Sequence, residues 1–337
     1  MNTMSSRVLP VALIAVGAIW LLYAVGFVPP SLSLALARLW PLLLIGGGLD
    51  VLFPDRRPRD VPFVAFAAAT ILLFGLVWPA GGLTGPDHQY VRELPPQARS
   101  VTFELRAGSP ATHLTAADDG DTLVAARFTG EPRGVVNVGL GPEPRVRVSP
   151  ERSAFAPFLA RARWDLAVPR SVPLDLIVDG GSGPLTLDLL GTRLAALELD
   201  AGSGPTTADL PGGGMPYEVV VDGGSGPIEL SFAPGASVDV RASLGSGPTT
   251  VFVGEGTDAR LRFRLGSGPL DLDLPDSAPI RLTVEDDGSG PLRVPRFLER
   301  RSGSGDTGVW ESASLRNGGR VIDVVLEDVG SGPVTIR

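Results

Sequence analysis

The chain of 337 residues carries 29 basic and 37 acidic side chains, two histidines and no cysteine. Without cysteine there are no disulfides, no thiol catalysis, no Cys-ligated zinc and no lipid anchor on a cysteine. The charge is unevenly spread: residues 1–60 hold five arginines against three aspartates, while residues 61–337 hold 24 arginines against 34 acids. So acidic a second part is unsuited to nucleic acid, whose binding depends on basic side chains neutralising phosphates.

The chain begins with a membrane module over 1–79. Val8–Phe27 is free of charge and long enough to cross a hydrocarbon core of ~30 Å as a helix. Pro29 and Pro30 end it, a second apolar segment follows over 32–53, and a third over 61–79. Arg7 and Ala24-Val25-Gly26 would also suit a cleaved signal peptide, but two further spans directly behind favour a three-helix anchor. Arg56, Arg57 and Arg59 lie between the second and third spans; with Arg7 they point to the cytoplasmic side. The C-terminal part is then expected outside the cell membrane, or in the cytoplasm if the second segment does not cross. Residues 80–97, with Gly81, Gly82, Gly85, Pro86, Pro95 and Pro96, read as a linker.

From 98 to 337 the sequence reads as a repeat-built β-domain. Gly-Ser-Gly-Pro recurs at 181–184, 202–205, 224–227, 245–248, 266–269, 288–291 and 330–333, with a Gly-Ser-Gly-Asp variant at 303–306. The first six copies are 21 or 22 residues apart; the register then breaks. Each repeat has two strand-like halves. Leu185, Leu187 and Leu189 alternate with polar residues after one corner, and Tyr217, Val219 and Val221 do so before another. Units of this size cannot bury an apolar face alone, so stacking into a β-solenoid of 21–22-residue repeats is expected, with a β-sandwich as the alternative. The corners are assigned to Gly181-Ser182-Gly183, Gly202-Ser203-Gly204, Gly224-Ser225-Gly226, Gly245-Ser246-Gly247, Gly266-Ser267-Gly268 and Gly288-Ser289-Gly290. There glycine permits positive φ and serine a close approach. Val101–Leu105 alternates and Gly108-Ser109-Pro110 echoes the corner, so 98–180 reads as a divergent start of the same domain. The insert at 153–163, with Phe155 and Phe158, reads either as a loop with core anchors or as a short amphipathic helix near the membrane.

Nothing in the sequence forms a catalytic constellation: His88 and His113 have no cysteine partner, and no metalloprotease, nucleotide-loop or nucleophile-elbow motif is present. No enzyme activity, cofactor or metal is expected. The repeated serines have a structural explanation at the corners. An outward row, Asp188, Asp209, Ser231, Phe252 and Asp273, is too interrupted for a cation ladder. The repeat length also departs from the calcium-binding nonapeptide. The glycine-rich loops open strands rather than helices, which removes the phosphate-cradle reading. Phe252 is nearly alone on its face, short of the aromatic row a polysaccharide-binding module would show.

Trp164-Asp165-Leu166-Ala167-Val168-Pro169-Arg170-Ser171-Val172-Pro173-Leu174, followed by the Gly-Ser-Gly repeats, resembles the toastrack domain of bacterial envelope proteins. Leu39-Trp40-Pro41-Leu42-Leu43-Leu44-Ile45-Gly46-Gly47-Gly48 resembles the membrane region of LiaI/LiaF-like proteins. The resemblance implies a multi-pass bacterial membrane protein that modulates cell-envelope stress signalling by contact with a protein such as a sensor kinase. It supplies no catalytic residues. The alternatives are a self-assembling scaffold at the membrane, through homo-oligomers, and an extracellular ligand-binding module.

Overall fold

A computed structural model describes residues 87–130, 132–151, 162–286 and 288–337, all in a compact unit running Pro86–Arg337. The three apolar segments at 8–27, 32–53 and 61–79 and nearly all of the 153–163 insert lie outside the described residues. Among the described residues no helix is long and apolar enough to cross a membrane.

The described chain is all-β, with one short 3-10 turn at Ala313–Asn317. Its first part contributes β1 (His88–Glu93), β2 (Val101–Arg106), β3 (Ala111–Ala116), β4 (Thr122–Thr129), β5 (Gly134–Gly139), β6 (Arg145–Pro150) and β7 (Arg163–Val168). The regular repeats follow as pairs: β8 (Pro173–Asp179) with β9 (Leu185–Asp188), β10 (Arg193–Asp200) with β11 (Thr206–Leu210), and β12 (Tyr217–Asp222) with β13 (Ile228–Phe232). Next come β14 (Ser237–Leu244) with β15 (Thr249–Val253) and β16 (Asp258–Leu265) with β17 (Leu270–Asp273). The last part holds β18 (Ile280–Val284), β19 (Leu292–Arg293), β20 (Leu298–Ser304), β21 (Thr307–Ser312), β22 (Ile322–Asp328) and β23 (Val334–Ile336).

The first strand of each pair joins one sheet and the second joins the other, with a Gly-Ser-Gly-Pro corner between them. Within each sheet the repeat strands run parallel, one repeat apart. A Greek-key sandwich would show antiparallel neighbours instead, so the repeat body is a two-sided solenoid. Period-two alternation turns alternate side chains into the space between the sheets. One buried row crosses the first sheet from Val146 through Phe103, Leu176, Leu197, Val219, Val240, Leu261 and Val324 to Leu282. A facing row runs through Leu114, Leu187, Ala208, Leu230, Val251, Leu272 and Ile336.

The corners stack as closely as the strands. The carbonyl of Gly181 accepts N–H bonds from Ser203 (2.8 Å) and Gly204 (3.1 Å), and the carbonyl of Gly202 accepts from Ser225 at 3.1 Å. Ser246 N–H donates in turn to the Gly224 carbonyl at 3.1 Å. The column begins one turn earlier, where Ser182 N–H meets the Gly108 carbonyl at 2.8 Å. A Cβ on Gly204, Gly226, Gly247 or Gly268 would overlap the carbonyl of the equivalent glycine one corner below. Positive φ is not general, contrary to the sequence expectation. Gly181, Gly202, Gly288 and Gly330 adopt it, whereas the other first glycines and all the second ones do not. The four that do follow an aspartate two residues earlier (Asp179, Asp200, Asp286 and Asp328). For three of these the Asp side chain accepts the glycine N–H, at 3.2 Å for Gly202, 3.1 Å for Gly288 and 2.9 Å for Gly330. Close approach is therefore the demand common to the column; an aspartate two residues earlier does not by itself set left-handed backbone, since Gly224 follows Asp222 without it.

The architecture departs from the regular repeat in three further places. Within the 80–97 stretch expected as a linker, His88–Glu93 is a strand, antiparallel to β4; it holds no Gly or Pro and lies between the two clusters of breakers. The Gly-Ser-Gly-Asp variant at 303–306 is no corner but the hairpin turn between antiparallel β20 and β21. There Gly305 takes φ +58°, as a tight hairpin turn demands. The last repeat in the chain is not the last in the stack. β22 and β23 insert between the β16–β17 repeat and the β18–β19 repeat, so Gly330 stacks on Gly266 and Gly288 stacks on Gly330. That crossover accounts for the broken register.

Gly226→Ala is expected to destabilise the domain by about 2 kcal/mol or more, because the new Cβ meets backbone that cannot rotate away. Gly214→Ala, at ordinary φ with open space around it, is expected to change stability little. Thermal melts of the two variants check the contrast; equal melting temperatures would refute it.

Candidate functional site

With the interior filled by aliphatic rows, chemistry is left to the outer faces, the corners and the opposite turns. Every serine of the six assigned corners is exposed, while the second glycine of each is buried. Ser182, Ser203, Ser225, Ser246, Ser267 and Ser289 therefore form a column of hydroxyls along one edge, and the flanking glycines are backbone contacts. The row Asp188, Asp209, Ser231, Phe252 and Asp273 does align across the second sheet, residue opposite residue. Among the described residues no group of three His, Cys, Asp or Glu side chains could hold a metal ion.

The outer face of the first sheet is more strongly featured. A row across its strand starts reads Glu218, Asp239, Arg260, Asp323 and Arg281, with Asp258 beside it. These residues line a groove of about 600 Å³, floored by small side chains such as Ala195, Ser237 and Ala259. Asp239 is the hub: Arg262 approaches it at 3.2 Å, and Arg241 and Arg260 at 3.8 Å. Arg281 pairs with Glu311 at 3.3 Å, and Arg301 reaches the same carboxylate at 3.5 Å. Sequence reading missed this network because it joins strands a repeat or more apart, such as Asp239 with Arg260 and Arg262, and only the parallel register brings those strands together. The signal was present in the alternation of arginine and acid at equivalent repeat positions.

On the same face Glu104 lies between Arg147 and Ile177. A 2.6 Å hydrogen bond from Arg147 holds the Glu104 carboxyl below the usual range, with Arg145 and Arg106 adding smaller electrostatic contributions. His113, the one histidine of the irregular first part, faces outward beside Asp165 at 3.9 Å; His88 is exposed at the start of β1. At the opposite turns the buried Tyr217 donates its hydroxyl to the Pro211 carbonyl at 2.9 Å, pinning the 211–216 loop; burial pushes its phenol well above the usual range. Trp164, wholly buried, packs edge-on against Phe128 with ring centroids 5.3 Å apart, and donates Nε1–H to the Pro132 carbonyl at 3.1 Å.

Residues 94–231 match the N-terminal domain of toast_rack (DUF2154), and residues 7–52 match the LiaI-LiaF-like transmembrane region. The two matches lie in that order along the chain, a segment similar to the LiaI-LiaF-like membrane region ahead of one similar to the N-terminal toast_rack domain. The toast-rack match runs from just before β2 to within β13, so it includes Trp164 and the first three Gly-Ser-Gly-Pro corners. Among solved structures the chain is similar to a candidate cell adhesion protein from Clostridium sporogenes, at 13% identity over 74% of this chain and 99% of that one, with a TM-score of 0.36. A candidate adhesin from Bacteroides fragilis (10% identity, 74% and 97% covered, TM-score 0.29) and a candidate lipid-binding protein from Parabacteroides distasonis (14%, 74% and 97%, 0.29) are similar at the same level. No curated protein matches the chain.

Two measurements test this description of the surface. Chelation by EDTA is expected to leave the melting temperature unchanged; a drop would reveal a stabilising cation. A carboxyl whose folded pKa is depressed contributes stability above its unfolded value, near 4.5, and loses that contribution as pH falls through the lower folded value. Arg147→Gln is therefore expected to lower stability slightly at neutral pH, since Arg147 is half exposed, and to change almost nothing once Glu104 is protonated. Denaturant titrations taken from pH 7 down through the acid range follow the change; a cost that does not fall with pH would assign the effect to packing.

Proposed function

We propose that this chain is a membrane-anchored, non-enzymatic modulator of bacterial cell-envelope stress signalling that acts by protein contact. The observation that carries the reading is the pairing of a LiaI-LiaF-like membrane region with a toast-rack domain in one chain. The physical form of the domain agrees with it. Its outer face presents a rigid charged network on parallel strands, suited to recognising a protein surface of complementary charge. The membrane helices at 8–27, 32–53 and 61–79 would hold that surface at the bilayer, with the β-domain outside the cell membrane by the placement of Arg7, Arg56, Arg57 and Arg59. A sensor kinase or another envelope-stress component is the partner class this reading favours.

Deleting the gene is expected to change the induction of stress-responsive transcripts by cell-wall antibiotics; unaltered induction would sink the proposal. Orientation is tested with one introduced cysteine, since the chain has none of its own. Ser237 would follow from the sequence as an exposed turn position, but it is half-buried at the start of β14, so the exposed corner residue Ser225 is the better place. Labelling of Ser225→Cys in intact cells by an impermeant maleimide is expected. Labelling only after lysis would put the domain in the cytoplasm.

A further inference from the structure

A solenoid of parallel strands leaves open edges at both ends of both sheets, and unpaired edge backbone invites another strand. Among the described residues the four edge strands are β1, β5, β19 and β20. Three are guarded. β1 carries Arg92 and Glu93, β19 is two residues long between Pro291 and Pro295, and β20 carries Glu299, Arg300 and Arg301. β5, Gly134-Val135-Val136-Asn137-Val138-Gly139, has no charge at all, and Leu140 beyond it is a large apolar residue 56% exposed.

The free side of β5 can be located. Its antiparallel register sets Asn137 opposite Arg147, and Glu151 N–H donates to the Arg133 carbonyl at 2.8 Å in the same register. Residues 133, 135, 137 and 139 therefore turn their backbone groups toward β6. By alternation, Gly134, Val136 and Val138 turn theirs away from it. Pro132 and Pro142 lie in the segments flanking β5, each five residues from Asn137.

We propose that β5 is a homodimer edge, pairing antiparallel with β5 of a second copy about a two-fold axis at Asn137. The outward backbone groups pair in this register: Val136 of each copy exchanges both hydrogen bonds with Val138 of the other. On the inward side, Leu140 of one copy lies opposite Gly134 of the other. The Phe128 ring already occupies the place where a side chain on Gly134 would go, so Leu140 gains an apolar neighbour there. On the outward side Asn137 meets its own copy, and exposed Val135 faces Gly139. A second copy is favoured over an unrelated strand because the segment is complementary to itself. The flanking prolines are equidistant from Asn137, no like charges meet, and each exposed apolar side chain is given a small partner. Anchoring in one membrane raises the local concentration of copies. The inference goes beyond the signalling proposal and does not depend on it.

The register makes Asn137 and its symmetry mate a non-hydrogen-bonded pair, with Cα atoms ~4.5 Å apart, within the range a disulfide can bridge. Full-length Asn137→Cys in isolated membranes, oxidised mildly with copper-phenanthroline, is expected to give a covalent product of twice the chain mass as the major band. Glu198→Cys, exposed on the same sheet away from the edge, measures random collision and should give several-fold less. Adding Leu140→Glu to Asn137→Cys is expected to reduce the cross-link to the Glu198→Cys level. Cross-linking of Asn137→Cys no greater than that of Glu198→Cys overturns the proposal. So does a product of any other mass, which would assign the edge to a different protein. A cross-link undiminished by Leu140→Glu overturns it as well, because the register would then be wrong.

Discussion

Successive corners of this solenoid approach until the carbonyl of one glycine accepts the amides of the next corner, and everything else in the domain is arranged around that contact. Strands in a parallel sheet are ~4.8 Å apart. A corner joining two such sheets must repeat at the same spacing, which leaves no volume for a Cβ between Gly183 and Gly204 or between Gly204 and Gly226. The corner column and the aliphatic rows are one constraint seen from two sides. If the corners could not stack, Leu176 would not lie over Leu197, nor Leu197 over Val219.

That constraint explains why so much of the fold was legible in the sequence. A corner that admits only glycine writes itself as a motif, and constant spacing writes itself as a period. Leu185–Leu189 and Tyr217–Val221 alternate because both lie in strands with one face inward, so the strand positions followed as well. What escaped had no local signature. Gly-Ser-Gly-Asp at 303–306 has the letters of a corner, yet it turns a hairpin, because antiparallel pairing of β20 with β21 decides its role. The insertion of β22 and β23 between earlier strands is a choice of neighbours, on which a period is silent. The charged groove was invisible for a related reason. Asp239 is about one repeat away in sequence from Arg260 and Arg262, and they become a network only through a register that sequence does not state. The roles of the corner serines were read partly for the wrong reason: they are exposed, and it is the glycines that let the backbone close up.

The division between interior and surface bears on how such a domain can carry information. Its inside is committed to stacking, so a substitution there changes stability. Its outer faces have no such commitment, and they hold different residues from repeat to repeat: Thr186, Thr207, Glu229, Thr250 and Asp271 in one row, Ala196, Glu218, Asp239, Arg260 and Asp323 in another. The solenoid is thus a rigid ruler on which side chains can be written at fixed intervals. Recognition by such a surface needs no moving part.

A repeating structure must also stop, and stopping is harder than repeating. Each end of a parallel stack presents a row of unpaired backbone groups that an identical repeat would satisfy. This chain ends its stack with elements that do not follow the repeat. β1 and β4 run antiparallel at one end of the second sheet, β5 closes the first sheet beside β6, and the β20–β21 hairpin closes the first sheet at the far end. Arginine and glutamate on β1 and β20, and prolines around β19, make those edges poor templates for a further strand. The same reasoning makes the uncharged β5 conspicuous. An edge left unguarded beside three guarded ones either carries a standing risk of aggregation or has a regular occupant. The pairing of large with small side chains about Asn137 favours the occupant, because an edge exposed by neglect has no reason to be complementary to itself.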